Sequence, residues 1–248
     1  MPGHPYLDWP GPIAFAHRGG ASDNPENTLP AFQHAVDLGY TYLETDVHAT
    51  SDGVLVAFHD DSLDRTTDGT GVINDLPWSE VGQALVDGRE PIPRFDEFME
   101  TFPNARINID CKADSAVEPL IEALRRHDCL DRILLGGFSD ARLRRLRREF
   151  GDALCSSFGP MQIAALRFAG RAPWGGQAAQ VPVRQSKLTI VDERFVRWAH
   201  ARQLQVHVWT IDEPDEMHRL LDLGVDGLMT DRPQVLKDVL VARDAWPS

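Results

Sequence analysis

The chain has 248 residues, 42% hydrophobic and 25% charged, with 38 acidic against 25 basic side chains and a formal charge of −13. That suits one large α/β domain with a real core, and the acidic balance excludes a broad nucleic-acid or anionic-membrane surface. No apolar run approaches the ~20 residues that cross a bilayer; the three cysteines, Cys111, Cys129 and Cys155, show no CxxC spacing and read as reduced thiols.

The N-terminal stretch MPGHPYLDWPGP lacks the basic and apolar regions of a secretory signal, which predicts a cytoplasmic protein. The first strand is predicted at 12–16. It stops at His17-Arg18-Gly19-Gly20, where a base, a cation and two flexible residues follow one another. Such a strand end is either a plain turn or a phosphate site with a proton carrier and an anion clamp. "ENTLPAF" then opens a helix over 28–38, with Pro30 in its first turn and Asn27 as the expected cap; Glu26 is placed to orient Arg18.

A second strand, 41–47, carries Glu44 and Asp46 two apart, so both face one way. Asp52-Gly53 then separates it from Val54–His59. Asp-Gly between two apolar runs is a hairpin signal, so 54–59 should run antiparallel to 42–47 and bring His59 opposite Glu44 to Asp46. Residues 60–92, with the turn Asp68-Gly69-Thr70-Gly71 and a short helix near 78–85, are too long for an ordinary βα loop and read as an insertion over the mouth.

Beyond a helix at 94–102, strands at 106–111, 132–136, 153–156, 178–183, 205–209 and 226–229 alternate with helices at 116–127, 140–149, 160–168, 192–202, 214–223 and 233–242. Eight strands alternating with eight helices predict a single (β/α)8 TIM barrel over 1–248; a doubly wound sheet is the alternative, without a dinucleotide fingerprint or P-loop to support it.

In "NIDCK", Ile107, Ile109 and Cys111 form an apolar face suited to lie beneath helices. Asn108, Asp110 and Lys112 therefore point inward. Inward charges are costly unless paired or metal-bound. Three carboxylates, Glu44, Asp46 and Asp110, converging on one point call for a hard divalent cation such as Mg2+ or Ca2+. A lone histidine is usually structural, but His17 and His59 at one mouth, beside carboxylates, Arg18 and Lys112, suit proton transfer and phosphate contact. "ARLRRLRREF" places Leu143, Leu146 and Phe150 on one helical face and arginines on a solvated one. "RAPWGGQ" precedes a strand and belongs to the far face, where Trp174 is a candidate contact residue.

These motifs, in this order, resemble the glycerophosphodiester phosphodiesterases. The series is His17-Arg18-Gly19, Pro25-Glu26-Asn27-Thr28, Glu44-Thr45-Asp46, His59-Asp60, Leu63 through Gly71, Asn108 to Lys112, Gly224-Val225-Asp226-Gly227 and Thr230-Asp231-Arg232-Pro233. The resemblance implies a TIM barrel with an insertion after the His-Asp pair, a divalent cation, and hydrolysis of glycerophosphodiesters to glycerol 3-phosphate and an alcohol. It places His17 and His59 on the acid/base pair, Glu44 and Asp46 on metal ligands, and Arg18 and Lys112 on phosphate contacts. Asp110 stands where the family often has Glu, about 1.5 Å longer in reach. Trp209 resembles an aromatic lining residue; plain barrel packing is its alternative. Rival readings are the same chemistry on lysophospholipids, with Val183, Leu188, Ile190 and Trp209 in an apolar groove, a non-catalytic phosphoester-binding barrel, and a metal-dependent sugar isomerase. The expected partner is a small-molecule phosphodiester, with neither nucleic acid nor stable membrane insertion.

Overall fold

A computed structural model describes residues 3–171 and 175–247; the proposed contact residue Trp174 lies outside them. In chain order the elements are β1 (Ile13–His17), α1 (Leu29–Asp37), β2 (Tyr42–Ala49), β3 (Leu55–Ala57), α2 (Trp78–Val81), β4 (Leu85–Val86), β5 (Glu90–Pro91), α3 (Phe95–Thr101) and β6 (Arg106–Cys111). There follow α4 (Val117–His127), β7 (Ile133–Gly136), α5 (Asp140–Phe150), β8 (Cys155–Ser156), α6 (Pro160–Ala169) and β9 (Ala178–Pro182). The chain ends with β10 (Arg184–Gln185), β11 (Leu188–Thr189), α7 (Glu193–His200), β12 (Gln205–Trp209), α8 (Pro214–Asp222), β13 (Gly227–Thr230) and α9 (Pro233–Ala242).

Parallel strands follow one another in the order β8-β7-β6-β2-β1-β13-β12-β9. A parallel bridge between Ser157 and Ala178 joins the two ends, giving the predicted (β/α)8 barrel. Helix starts follow local chemistry. Thr28, Ser139 and Asp192 cap α1, α5 and α7 with side-chain oxygens, and α1, α6, α8 and α9 carry proline in the first turn. The cap of α1 is Thr28 and not Asn27 as expected; Asn27 is turned toward the barrel instead.

Strand alternation sorts the side chains into two layers. Leu43, Val47, Ile107, Ile109, Val206 and Val208 face the helices in the main core. Ile13, Phe15, Tyr42, Leu134 and Met229 fill the barrel's lower interior. A turn at Pro5–Leu7 plugs the bottom: Tyr6 is fully buried and packs edge-on against Tyr42, at 5.2 Å between ring centres. The Arg106 guanidinium stacks over Trp9 and Tyr42 and donates to the Tyr6 and Asp8 carbonyls, fixing the plug. The polar half of "NIDCK" points into the barrel as read from its apolar half.

The hairpin forms as expected. β3 runs antiparallel to β2, with Val47 opposite Ala57 and Ala49 opposite Leu55. The segment that follows has a small core of its own, in which Leu63, Ile73, Val81 and Val86 pack on Val56 and Phe58. One sequence expectation about α5 needs correction. Arg147 is not on a solvated face: it turns inward and donates to Ser156 Oγ at 2.8 Å, Gln162 Oε1 at 3.0 Å and the Ser157 carbonyl. It holds together the weakly hydrogen-bonded corner where the barrel closes.

Candidate active site

The turn His17-Arg18-Gly19-Gly20 is built for close approach. Gly19 and Gly20 adopt φ of +84° and +98°, and a Cβ on them would lie 2.8 Å from Ala31 and 2.7 Å from Pro233. Only glycine fits both the backbone conformation and the gap. The tight turn leaves His17 at the barrel mouth and points the Arg18 amide at Glu44 Oε2, 3.1 Å away.

His17, Arg18, Glu44, Asp46, His59, Asp110, Lys112 and Trp209, the expected catalytic, metal and substrate residues, all line one cavity of about 300 Å3 at the C-terminal end of the barrel. Each histidine is held by a carboxylate. His17 Nδ1 donates to Asp231 Oδ1 at 2.6 Å, and His59 Nδ1 donates to Asp60 Oδ1 at 2.5 Å. Nδ1 therefore carries the proton in each ring, and Nε2 is left for exchange. Burial works against charge on His17, but Glu44 and Asp231 outweigh it and hold the imidazole above its usual range. Asp60 is gripped in turn by Arg65, at 2.5 and 2.9 Å, which holds its carboxyl well below the usual range. Arg65 also meets Glu26, which accepts from Arg18 at 3.0 Å as expected.

The carboxylates and cations interleave. Lys112 Nζ sits between Asp46 Oδ1 at 2.8 Å and Asp110 Oδ2 at 2.7 Å, and Arg18 Nε lies 3.3 Å from Asp46 Oδ2. Against its burial, Lys112 and Arg18 keep Asp46 ionised at lower pH than usual. Burial, with Asp46 beside it, pushes Glu44 up to about 7. Burial likewise raises Asp110 despite Lys112. The site thus holds more carboxylate than its fixed cations neutralise. Asp110 Oδ1 is buried without a hydrogen-bond partner. No group of three or more His, Cys, Asp or Glu among the described residues is gathered as a metal cage. The all-oxygen donor set and the orphaned Asp110 oxygen nonetheless suit a hard divalent cation.

Asn27 is a site residue that sequence reasoning missed in favour of a capping role. Its amide donates to Asp46 Oδ2 at 3.2 Å and accepts from Thr45 Oγ1 at 2.8 Å, holding Asp46 in place. Asp231 and Asp60 were visible only as members of motifs. Leu188, Ile190 and Trp209 line the cavity as expected of an apolar groove, whereas Val183 is absent from its lining. The rest of that wall, Ile163 and Phe168 of α6 with Phe138, had no sequence signal; Phe168 and Phe138 are 68% and 63% exposed at the rim.

The family model of the Glycerophosphoryl diester phosphodiesterase family matches residues 17–235. Probable glycerophosphodiester phosphodiesterase 2 of Mycobacterium tuberculosis is 40% identical over 97% of this chain and 95% of its own. Lysophospholipase D GDPD1 of Homo sapiens is 31% identical over 91% of this chain and 85% of its own. Among solved structures, an Oleispira antarctica phosphodiesterase in complex with the product sn-glycerol-3-phosphate superposes with a TM-score of 0.80, at 25% identity over 93% of this chain and 97% of its own.

Proposed function

The chain belongs to the glycerophosphoryl diester phosphodiesterase family, and from that premise we propose that its barrel mouth hydrolyses glycerophosphodiesters to glycerol 3-phosphate and an alcohol. The observation that carries this is the pair of aspartate-held histidines, His17 and His59, facing one cavity across Arg18 and Lys112. Arg18 and Lys112 hold the phosphodiester oxygens. A hydroxyl oxygen, from water or the glycerol 2-hydroxyl, attacks phosphorus; one histidine takes its proton at Nε2. The bond to the leaving alcohol breaks, and the other histidine supplies a proton to the departing oxygen. Where the 2-hydroxyl is the attacking group, the cyclic phosphate so formed is then opened by water, which breaks the bond from phosphorus to the glycerol 2-oxygen and returns that oxygen its proton, giving glycerol 3-phosphate. Asp231 and Asp60 orient the rings and offset the positive charge each carries when protonated. Asn27, Glu26 and Arg65 hold the charged groups in register.

Glu44, Asp46 and Asp110 would hold a divalent cation, Mg2+ or Ca2+, which when bound stabilises negative charge developing on the phosphoryl group. Trp209 forms part of the cavity wall against the substrate. Residues 60–92 form, in this reading, a capping insertion on a single catalytic domain spanning 1–248, bracing the rim through Asp60 and Arg65. A cytoplasmic place accords with the three free, buried cysteines. No helix among the described residues is long and apolar enough to cross a membrane.

The test is incubation with glycerophosphocholine and a divalent cation, with liberated glycerol 3-phosphate as the readout. Sustained release that vanishes in a His17→Ala, His59→Ala double variant supports the reading; binding without turnover in the wild type would make the chain a phosphoester-binding barrel. A second reading, the same chemistry on lysophospholipids, is favoured by the apolar wall of Phe138, Ile163, Phe168, Leu188 and Ile190 beside the charged centre. On that reading Phe168→Asp lowers turnover of a long-chain lysolipid severalfold more than that of glycerophosphocholine.

A further inference from the structure

A chain of neutral hydrogen bonds runs up the barrel axis from the bottom plug to the cavity floor. The Leu7 carbonyl accepts from Gln205 Nε2 at 3.2 Å. Gln205 Oε1 lies 3.0 Å from His207 Nε2, and His207 Nδ1 lies 3.4 Å from Gln180 Nε2. Gln180 Nε2 also donates to Asn108 Oδ1 at 2.7 Å. Amide and imidazole groups can each be turned either way, so the sense of such a chain is open until one member is fixed. The Leu7 carbonyl fixes it, because a backbone oxygen only accepts.

The rest follows link by link. Gln205 must donate downward and present its oxygen upward. His207 must carry its proton on Nε2, leaving Nδ1 bare. Gln180 must then donate to both His207 and Asn108. A doubly protonated His207 would break the chain, and its complete burial keeps the ring neutral. Two groups are left over at the top: Asn108 Nδ2, a donor, and Gln180 Oε1, an acceptor. Asn108 and Gln180 both line the cavity, and their side-chain hydrogen bonds among the described residues run through Asn108 Oδ1 and Gln180 Nε2, the other atom of each amide. Gly136 leaves room for the Gln180 oxygen, which a Cβ there would approach to 3.0 Å.

We propose that Asn108 and Gln180 form a neutral subsite that binds an alcohol hydroxyl, specifically the terminal hydroxyl of the substrate's glycerol. A phosphate oxygen at neutral pH only accepts and would face the Gln180 oxygen unpaired. A hydroxyl accepts from Asn108 and donates to Gln180 through one atom. Position selects the terminal group. Asn108 shares a rung with Glu44 and His17, whereas Asp46 and Asp110 lie one inward-facing rung higher, about 6.6 Å along the strands. The deep polar end therefore takes the small glycerol, and the leaving alcohol lies toward the apolar rim. His207 and Gln205 are positioning residues that set the direction in which the two amides point.

This inference rests on the phosphodiesterase reading, and the experiment separates the two. The substrates are glycerophosphocholine and its analogue made from propane-1,2-diol, which keeps the 2-hydroxyl and lacks only the terminal one. The wild type should prefer the glycerol substrate by roughly tenfold or more in kcat/KM, the cost of leaving buried polar groups unpaired. Product inhibition by glycerol 3-phosphate and by propanediol phosphate gives the same comparison without any variant. Gln180→Met should lose activity on the glycerol substrate, largely through KM, and so remove most of the preference for it over the analogue. His207→Phe should lower the preference in the same way, with kcat on the analogue retained. Equal kcat/KM for the two substrates in the wild type, with both turned over, would overturn the subsite alone. Turnover of neither would bring down the phosphodiesterase reading and the subsite with it.

Discussion

His207→Phe should change how stability depends on pH. His207 is fully buried among Phe15, Gln180 and Gln205. Burial alone pushes its pKa from 6.5 down to about 3, with no charged neighbour contributing. The unfolded chain binds a proton there below pH 6.5, and the folded chain does not until about pH 3. The unfolded state therefore binds more protons across that window, and stability falls as pH falls through it. At about 1.36 kcal/mol per pH unit, moving from pH 7 to pH 5 removes about 2 kcal/mol that is due to this one ring. Phenylalanine keeps the contact with Phe15 and cannot titrate. The variant should be less stable at pH 7 by roughly 1–3 kcal/mol, because Gln180 and Gln205 each lose a partner. It should nevertheless lose about 2 kcal/mol less than the wild type between pH 7 and pH 5. Denaturant unfolding of both proteins at the two pH values measures the difference, in which every other titrating group cancels. Equal losses in the two proteins would show that His207 is not held neutral, and the direction assigned to the axial hydrogen-bond chain would fall with it.

Three further outcomes are expected at the mouth. His17→Ala and His59→Ala should each lower kcat by roughly 10²-fold or more; near-wild-type turnover at saturating substrate in either variant rules that residue out of proton transfer. Lys112→Met keeps the stem and deletes the charge that bridges Asp46 and Asp110, so kcat/KM should drop by about tenfold or more, and unchanged kcat/KM would remove Lys112 from phosphate contact. Asp110→Asn should fold normally yet bind Mg2+ or Ca2+ much more weakly in a calorimetric titration, while Asp110→Glu keeps measurable activity; wild-type affinity in Asp110→Asn would show that Asp110 is no ligand.

The barrel was legible because each of its parts carries a local signal. Strands are apolar runs bounded by turn residues, and helices announce themselves by a cap or an early proline, as at Thr28-Leu29-Pro30 and Arg232-Pro233. Asp52-Gly53 was enough to give the direction of the hairpin, and the register that resulted put His59 at the mouth. What sequence could not supply were relations set by distance in space. Asp231 serves His17 across 214 residues, and nothing local marks it as a partner. Asn27 looked like a cap because cap residues and site residues share the same short polar side chain. Its φ of +57° turns that side chain toward Asp46, a fact that exists only once the turn is folded. The bottom plug at Pro5–Leu7 has no periodicity to read. The apolar wall is the most instructive case. In α6, Leu166 is fully buried, while Phe168 lines the cavity and stands 68% exposed at its rim. Both look equally hydrophobic in a sequence, so an apolar side chain that serves a cavity is indistinguishable from one that serves the core until the helix is docked. Charged residues escape that ambiguity because burying them is costly, and for that reason the charged centre was legible from the chain while Phe138, Ile163 and Phe168 of the apolar wall were not.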